Sequence, residues 1–184
     1  LVGSEMCIRD RSSMNTNYVF LADGFEEVEA LTVVDVMRRA GMEVSTVSIA
    51  DKLNVKGAHG VEVMADKLIA ETDTTDAEWL IVPGGMPGAT NLAACDALND
   101  ALQKHWLKQG KIASICASPA VVLAPLDIIR GQNATCYPSF KADIEKGGAT
   151  YVDMRVVESG NLITSNGPSS AFVFAFAIVA ASLG

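Results

Sequence analysis

Short apolar runs, each followed by a turn and a helical pattern, restrict this chain to very few folds. Tyr18-Val19-Phe20-Leu21, residues 44–49, Trp79-Leu80-Ile81-Val82 and residues 111–115 are too short for helices. They also lack the strict alternation of a strand with one wet face, and so read as strands buried on both sides. Helical stretches between them supply the covering layers, which predicts an α/β sandwich around a mostly parallel sheet. Helices are expected over about 25–40, stopped by Gly41, over about 95–109, from the turn after residue 115 to about 126, and over 139–146. A last, buried helix is expected from about residue 169. Residues 61–64 read as a hairpin arm or edge strand, and Ser159-Gly160-Asn161 as the turn of a second hairpin.

No repeat or linker divides the chain, so residues 14–184 read as one domain. Residues 1–13 look foreign: they resemble translated adapter sequence, carry charges without an apolar secretory core, and are followed by Met14. They are set aside, with Cys7. The net charge of −8 argues against a nucleic-acid partner, and the longest apolar run, 171–183, is short of a membrane span. Cys95, Cys116 and Cys136 show neither a Cys-x-x-Cys pair nor metal-ligand spacing with His59 or His105, so no metal is expected. Scattered thiols imply a reducing, cytoplasmic setting.

Cys116 stands in Lys111-Ile112-Ala113-Ser114-Ile115-Cys116-Ala117-Ser118-Pro119, a strand running directly into a helix. Small neighbours allow a sharp turn, and Pro119 suits the first helical turn. This is the strand-to-helix elbow that presents a nucleophile above the carboxyl edge of a sheet. The positive end of the following helix is expected to favour thiolate. The alternative is a cysteine buried as a small hydrophobe.

Three acids open the first helix. Glu26 and Glu27 fit simple complementation of the helix dipole, with Glu27 on the polar side beside Arg38. Glu29 falls among Phe25, Val33, Val36 and Ala40, on the apolar stripe. A carboxyl there must be protonated or partnered. It becomes either a proton shuttle for Cys116, with a raised pKa, or an acid bonded to nearby backbone N–H groups. Pro83-Gly84-Gly85-Met86-Pro87-Gly88 follows a buried strand at the same edge. The N–H groups of Gly85 and Ala117 could form an oxyanion hole, although a Gly-Gly turn is often only a turn. His105 reads as surface decoration. His59, on a loop or hairpin tip, is the better candidate base, and Tyr137 stands where a base would be sought.

Taken together, Ala22-Asp23-Gly24-Phe25-Glu26-Glu27-Val28-Glu29, Val34-Asp35-Val36-Met37-Arg38-Arg39-Ala40-Gly41, Val82-Pro83-Gly84-Gly85, Ser114-Ile115-Cys116-Ala117-Ser118-Pro119 and Ile163-Thr164-Ser165-Asn166-Gly167-Pro168 resemble the DJ-1/PfpI superfamily, in its DJ-1/ThiJ branch. The resemblance implies a flavodoxin-like three-layer sandwich, normally a homodimer, that uses no cofactor. It implies Cys116 as nucleophile, Glu29 as proton shuttle, and Gly85 and Ala117 as backbone donors. Activities it implies are glutathione-independent glyoxalase action on small aldehydes or ketoaldehydes such as methylglyoxal, protein deglycation, and redox-responsive protection or chaperoning through oxidation of Cys116. A histidine that some members place near the cysteine aligns with Tyr137. His59 falls where others carry an arginine. Either residue is a candidate to orient substrate. The chain ends at Gly184, where relatives usually continue into another short helix, so a shortened end that weakens the dimer is expected. A cysteine peptidase is disfavoured, because no histidine adjoins Cys116.

Overall fold

The computed structural model describes residues 16–184, so the segment 1–13, Cys7 and Met14 lie outside the described residues. The chain opens with β1 (Asn17–Leu21), α1 (Glu27–Arg39) and β2 (Val44–Ser48), then a hairpin of β3 (Asn54–Lys56) and β4 (Glu62–Met64). Next come β5 (Lys67–Leu68), β6 (Trp79–Val82), α2 (Gly88–Ala93), α3 (Asp96–Leu107) and β7 (Lys111–Ile115). The remainder holds β8 (Asn133–Ala134), α4 (Lys141–Lys146), β9 (Thr150–Tyr151), β10 (Val156–Ser159), β11 (Leu162–Ser165) and α5 (Ala171–Leu183).

Seven strands form the central sheet in the order β10-β11-β7-β6-β1-β2-β5. Neighbours pair in parallel except β10 and β11, the hairpin around Gly160. The doubly apolar strands fill both faces, as their pattern predicts. Val19 and Leu21 of β1 pack with Val33 and Met37 of α1 and Phe174 and Ile178 of α5. Tyr18 and Phe20 pack on the other side with Leu92 of α2 and Leu98 and Leu102 of α3. The result is the expected three-layer α/β sandwich.

The chain runs outward from β1 through β2 to β5, then returns to β6 on the far side of β1. Such a reversal opens a crevice at the carboxyl ends of the strands, where α/β proteins bind ligands.

Several expectations need correction. The segment after β7 is not an α-helix: residues Pro119–Leu123 form a π-helical turn and Ala124–Leu126 a 3-10 turn, and each carries a proline in its first turn. α2 starts at Gly88, directly after a Pro87-Gly88 pair that reads as loop in the sequence. Residues 61–64 supply a hairpin arm (β4), and the sheet edge on that side is β5. α5 is buried on one side only, since Phe172 and Phe176 are 60% and 55% exposed. A helix apolar all round gives no sequence signal for its wet side.

His105 is not surface decoration. It is 2% exposed, and its Nε2 lies 3.2 Å from the Glu78 carbonyl and 3.0 Å from the Lys111 carbonyl. Two acceptors require the Nε2–H tautomer, which staples the start of β6 to that of β7. Gly110 makes room for the ring, for a Cβ there would lie 2.4 Å from it. Burial holds the His105 pKa below its ordinary value, against the pull of the two carbonyls. The unfolded chain therefore binds a proton more readily, and the stability His105 contributes is full above about pH 6.5 and lost as the pH falls below it. Urea unfolding between pH 7.5 and 5 should show a decline that is shallower in His105→Gln. An identical slope in the variant would assign the decline to other groups.

Candidate active site

Three adjacent parallel strands, β1, β6 and β7, deliver the site, each through the loop at its carboxyl end. Beyond β7, Cys116 takes φ 66°, a left-handed conformation uncommon for a residue with a Cβ. The turn is fixed from both sides. The Cys116 N–H donates to the Ser165 carbonyl at 2.9 Å, and its carbonyl accepts from Tyr137 N–H at 2.8 Å. The expected elbow is thus present, and Cys116 is half-buried.

Beyond β1, the turn at 22–26 leads into α1. The Glu26 carboxylate caps that helix by accepting the Glu29 N–H at 2.8 Å. Glu29, one turn in, is 0% exposed. Its Oε1 accepts the Gly84 N–H at 3.0 Å from the loop beyond β6. Among the described residues Oε2 receives no N–H or O–H bond, and the carboxyl meets the Cys116 thiol. Gly84 lies between them: a Cβ there would fall 2.6 Å from both Cys116 Cβ and Glu29 Oε1. Glu29 is thus bonded to a backbone N–H through one oxygen, as one of its two readings expects, and its carboxyl also faces the sulfur.

The electrostatics follow from that burial. Desolvation, with a smaller push from Glu26, raises Glu29 to about 7, against the pull of Cys116 and the Gly84 N–H. Burial and the neighbouring Glu29 push the Cys116 thiol up to about 12, while the Ala117 and Gly85 N–H groups pull the other way. The expected lowering of the thiol by the following helix is thus reversed. A π turn supplies little aligned dipole, and a buried sulfur beside a carboxylate resists a second charge. The carboxyl therefore gives up its proton before the thiol does, and the resting thiol keeps its own beside the carboxylate. Gly85 and Ala117 both direct N–H groups at the sulfur. Gly85 has φ +94°, and a Cβ there would lie 2.5 Å from the Glu26 nitrogen, so no side chain intrudes.

His59 Nδ1 is 3.0 Å from Glu27 Oε1 and 3.6 Å from Glu26 Oε1, and it is not among the groups acting on Cys116. Tyr137 reaches the elbow through its backbone and leaves its side chain 46% exposed. Cys136 is buried in the core, and Cys95 precedes α3. Glu27 is not a solvated dipole acid, contrary to its place on the polar side of α1. The β3–β4 hairpin folds over it, and Glu27 accepts the His59 and Val61 N–H groups at 2.9 and 3.2 Å. Burial opposes its charge, but these bonds and the His59 ring hold its pKa below the ordinary range and raise that of His59. Glu26, Glu27 and His59 bring possible ligand atoms within 4.8 Å of one another. Their oxygens already serve the cap and the hairpin. Among the described residues no helix is long and apolar enough to cross a membrane.

A flavodoxin-like α/β sandwich with a cysteine on a strained strand-end elbow, facing a buried carboxyl, is the class that fold and site define. The sequence profile of the DJ-1/PfpI family matches residues 16–181, and the chain belongs to that family. It is 35% identical over 159 residues to Protein DJ-1 homolog B of Arabidopsis thaliana, a match covering 86% of this chain and 36% of that protein. The chain thus spans well under half of that relative's length. A Caenorhabditis elegans relative named glutathione-independent glyoxalase DJR-1.2 is 35% identical over 154 residues, covering 84% of this chain and 81% of that one. The solved structure of oxidized Toxoplasma gondii DJ-1 superposes with a TM-score of 0.87 at 37% identity, covering 92% of this chain and 91% of that one.

Gly84 gives a direct test of the apposition. Gly84→Ala should force Cys116 and Glu29 apart, cost about 1–3 kcal/mol in urea unfolding as an overpacked site does, and alter the alkylation rate of Cys116. A variant with wild-type stability and alkylation would contradict the close approach.

Proposed function

We propose that the protein converts small ketoaldehydes, methylglyoxal among them, into hydroxy acids without glutathione, metal or nicotinamide. The observation that carries this reading is the buried Glu29 carboxyl meeting the Cys116 thiol, with the Gly85 and Ala117 N–H groups turned to the same sulfur. The name of the C. elegans relative supports the substrate class.

In the proposed course, the thiol proton passes to Glu29, which removes the charge that holds the thiol up. The sulfur adds to the aldehyde carbon, and the carboxyl returns the proton to the new hydroxyl oxygen, leaving a hemithioacetal. Glu29, again a carboxylate, takes the hydrogen of that carbon as a proton, and its electrons move onto the neighbouring carbonyl to form an enediolate. The Gly85 and Ala117 N–H groups stabilise the oxyanion. Glu29 then delivers the proton to the second carbon, and the hydroxyl proton moves to the second oxygen. The first carbon is now oxidised to a thioester and the second reduced to a carbinol. Water cleaves the thioester, releasing lactate and the free thiol. Methylglyoxal and water are consumed, and no external oxidant or reductant is required. His59 and Tyr137 stand as candidates to orient the substrate.

A homodimer belongs to the same reading, and apolar side chains left exposed on α1 and α5 (Val28, Leu31, Phe172, Phe176) support it. Lactate formation from methylglyoxal, followed by NMR without glutathione and after dialysis against EDTA, tests the reaction. Wild type should turn over, whereas Cys116→Ala and Glu29→Gln should lose at least about 100-fold, the scale of a missing nucleophile or general base. Consumption without lactate would reject the reaction and favour a redox-responsive role for Cys116. Unchanged turnover in Glu29→Gln would remove Glu29 from it.

A further inference from the structure

Ser118 precedes the π turn at the position where a serine ordinarily caps the helix that follows, yet its side chain makes no cap bond. The turn does not require one. Pro119 has no N–H, and the Ala120 and Val121 N–H groups both donate to the Ala117 carbonyl, at 3.2 and 2.9 Å. The Ser118 hydroxyl instead crosses to the end of the neighbouring strand, where it donates to the Pro83 carbonyl at 2.5 Å. Ser118 is 0% exposed. A hydroxyl buried this completely and turned away from its own helix links two strand-end loops.

We propose that Ser118 is a positioning residue that sets the gap between the Gly85 and Ala117 N–H groups at the Cys116 sulfur, a role that rests on the carbonyl chemistry above. Ser118 follows Ala117, the first donor, directly in the chain. The carbonyl it holds belongs to Pro83, two residues before Gly85, the second donor. The other anchors of that loop run away from the elbow: Gly84 N–H donates to Glu29 and Glu26 N–H to the Gly84 carbonyl, both at 3.0 Å, Gly88 N–H donates to the Gly24 carbonyl at 3.1 Å, and the Gly85 carbonyl accepts from Ala89 at the start of α2 at 2.8 Å. Anchored on that side alone, the loop keeps its hold on the acid and loses its tie to the elbow. The two donors then no longer share a fixed frame. Preorganised donors act only while their geometry is held, so loosening one of them weakens the charged state more than the bound ground state.

The full chain is compared with Ser118→Ala and Ser118→Thr. Two readings are taken: kcat and KM for methylglyoxal, and the pH profile of iodoacetamide alkylation of Cys116, followed by peptide mass spectrometry because other cysteines are present. Ser118→Ala should lower kcat about tenfold, the equivalent of about 1.4 kcal/mol, with KM changed by less than about twofold. Its alkylation midpoint should move to higher pH, because the thiolate loses a well-placed donor. Ser118→Thr keeps the hydroxyl and should restore both readings toward wild type. A merely structural hydroxyl would behave differently: Ser118→Ala would melt at lower temperature with kcat and alkylation midpoint as in wild type, and that result would overturn the proposal. Should wild type form no lactate, the carbonyl chemistry fails. The alkylation arm then decides alone, a raised midpoint in Ser118→Ala supporting the positioning role and an unmoved one overturning it.

Discussion

A carboxyl that never meets solvent organises this molecule. Glu29 is 0% exposed, and a charge at such a site is tolerated only if neighbouring groups replace water. The Gly84 N–H answers one oxygen, and the Cys116 thiol lies against the same carboxyl. Around that contact the loops beyond β1 and β6 close backbone to backbone. A Cβ at Gly85 would lie 2.5 Å from the Glu26 nitrogen, and one at Gly88 would lie 2.5 Å from the Gly24 carbonyl. The glycines here serve contact rather than flexibility, because the space a side chain would need is already filled by backbone. The same closeness couples the two groups, since a charge on the carboxyl opposes a charge on the sulfur.

The sheet supplies what the pair cannot supply for itself. β7, β6 and β1 are neighbours and parallel, so their carboxyl ends reach one crevice, and each contributes a different part. β7 ends in the strained cysteine, β6 in the loop of backbone donors, and β1 in the turn that starts the acid-bearing helix. The strain at Cys116 is sustained by the two backbone bonds on either side of it, to Ser165 and from Tyr137. The β3–β4 hairpin closes over the start of α1 through Glu27, which explains how a second acid of that helix comes to be buried as well.

Much of this was readable from residue order, and the exceptions have physical reasons. Continuous apolar runs specify doubly covered strands, so the sandwich and the hairpin around Gly160 follow from pattern alone. Glu29 betrayed itself by its angular position, because a carboxyl on an apolar stripe has few ways to survive. Glu27 gave no such signal. Its burial comes from a hairpin distant in sequence, which helical periodicity cannot see. His105 follows the buried Leu98 and Leu102 by seven and three residues on α3, a helical spacing that does signal burial; the sequence does not show that the Glu78 and Lys111 carbonyls converge on its ring. Ser118 read as a small residue easing a turn, since nothing in the sequence states that its hydroxyl reaches across to Pro83. The direction of the Cys116 shift does not follow from the elbow motif, because burial of the sulfur and the adjacent Glu29 raise the thiol, and the segment after the elbow, with Pro119 and Pro125, is not a regular helix.

The coupling between carboxyl and thiol is tested most directly by titrating Glu29 itself. With glutamate labelled at the carboxyl carbon, the 13C shift of Glu29 is followed by NMR against pH in wild type and in Cys116→Ala, with Glu29→Gln identifying the signal. The account predicts a midpoint near 7 in wild type, displaced when the thiol is removed. A midpoint near the ordinary glutamate value of 4.5, the same in both proteins, would contradict it.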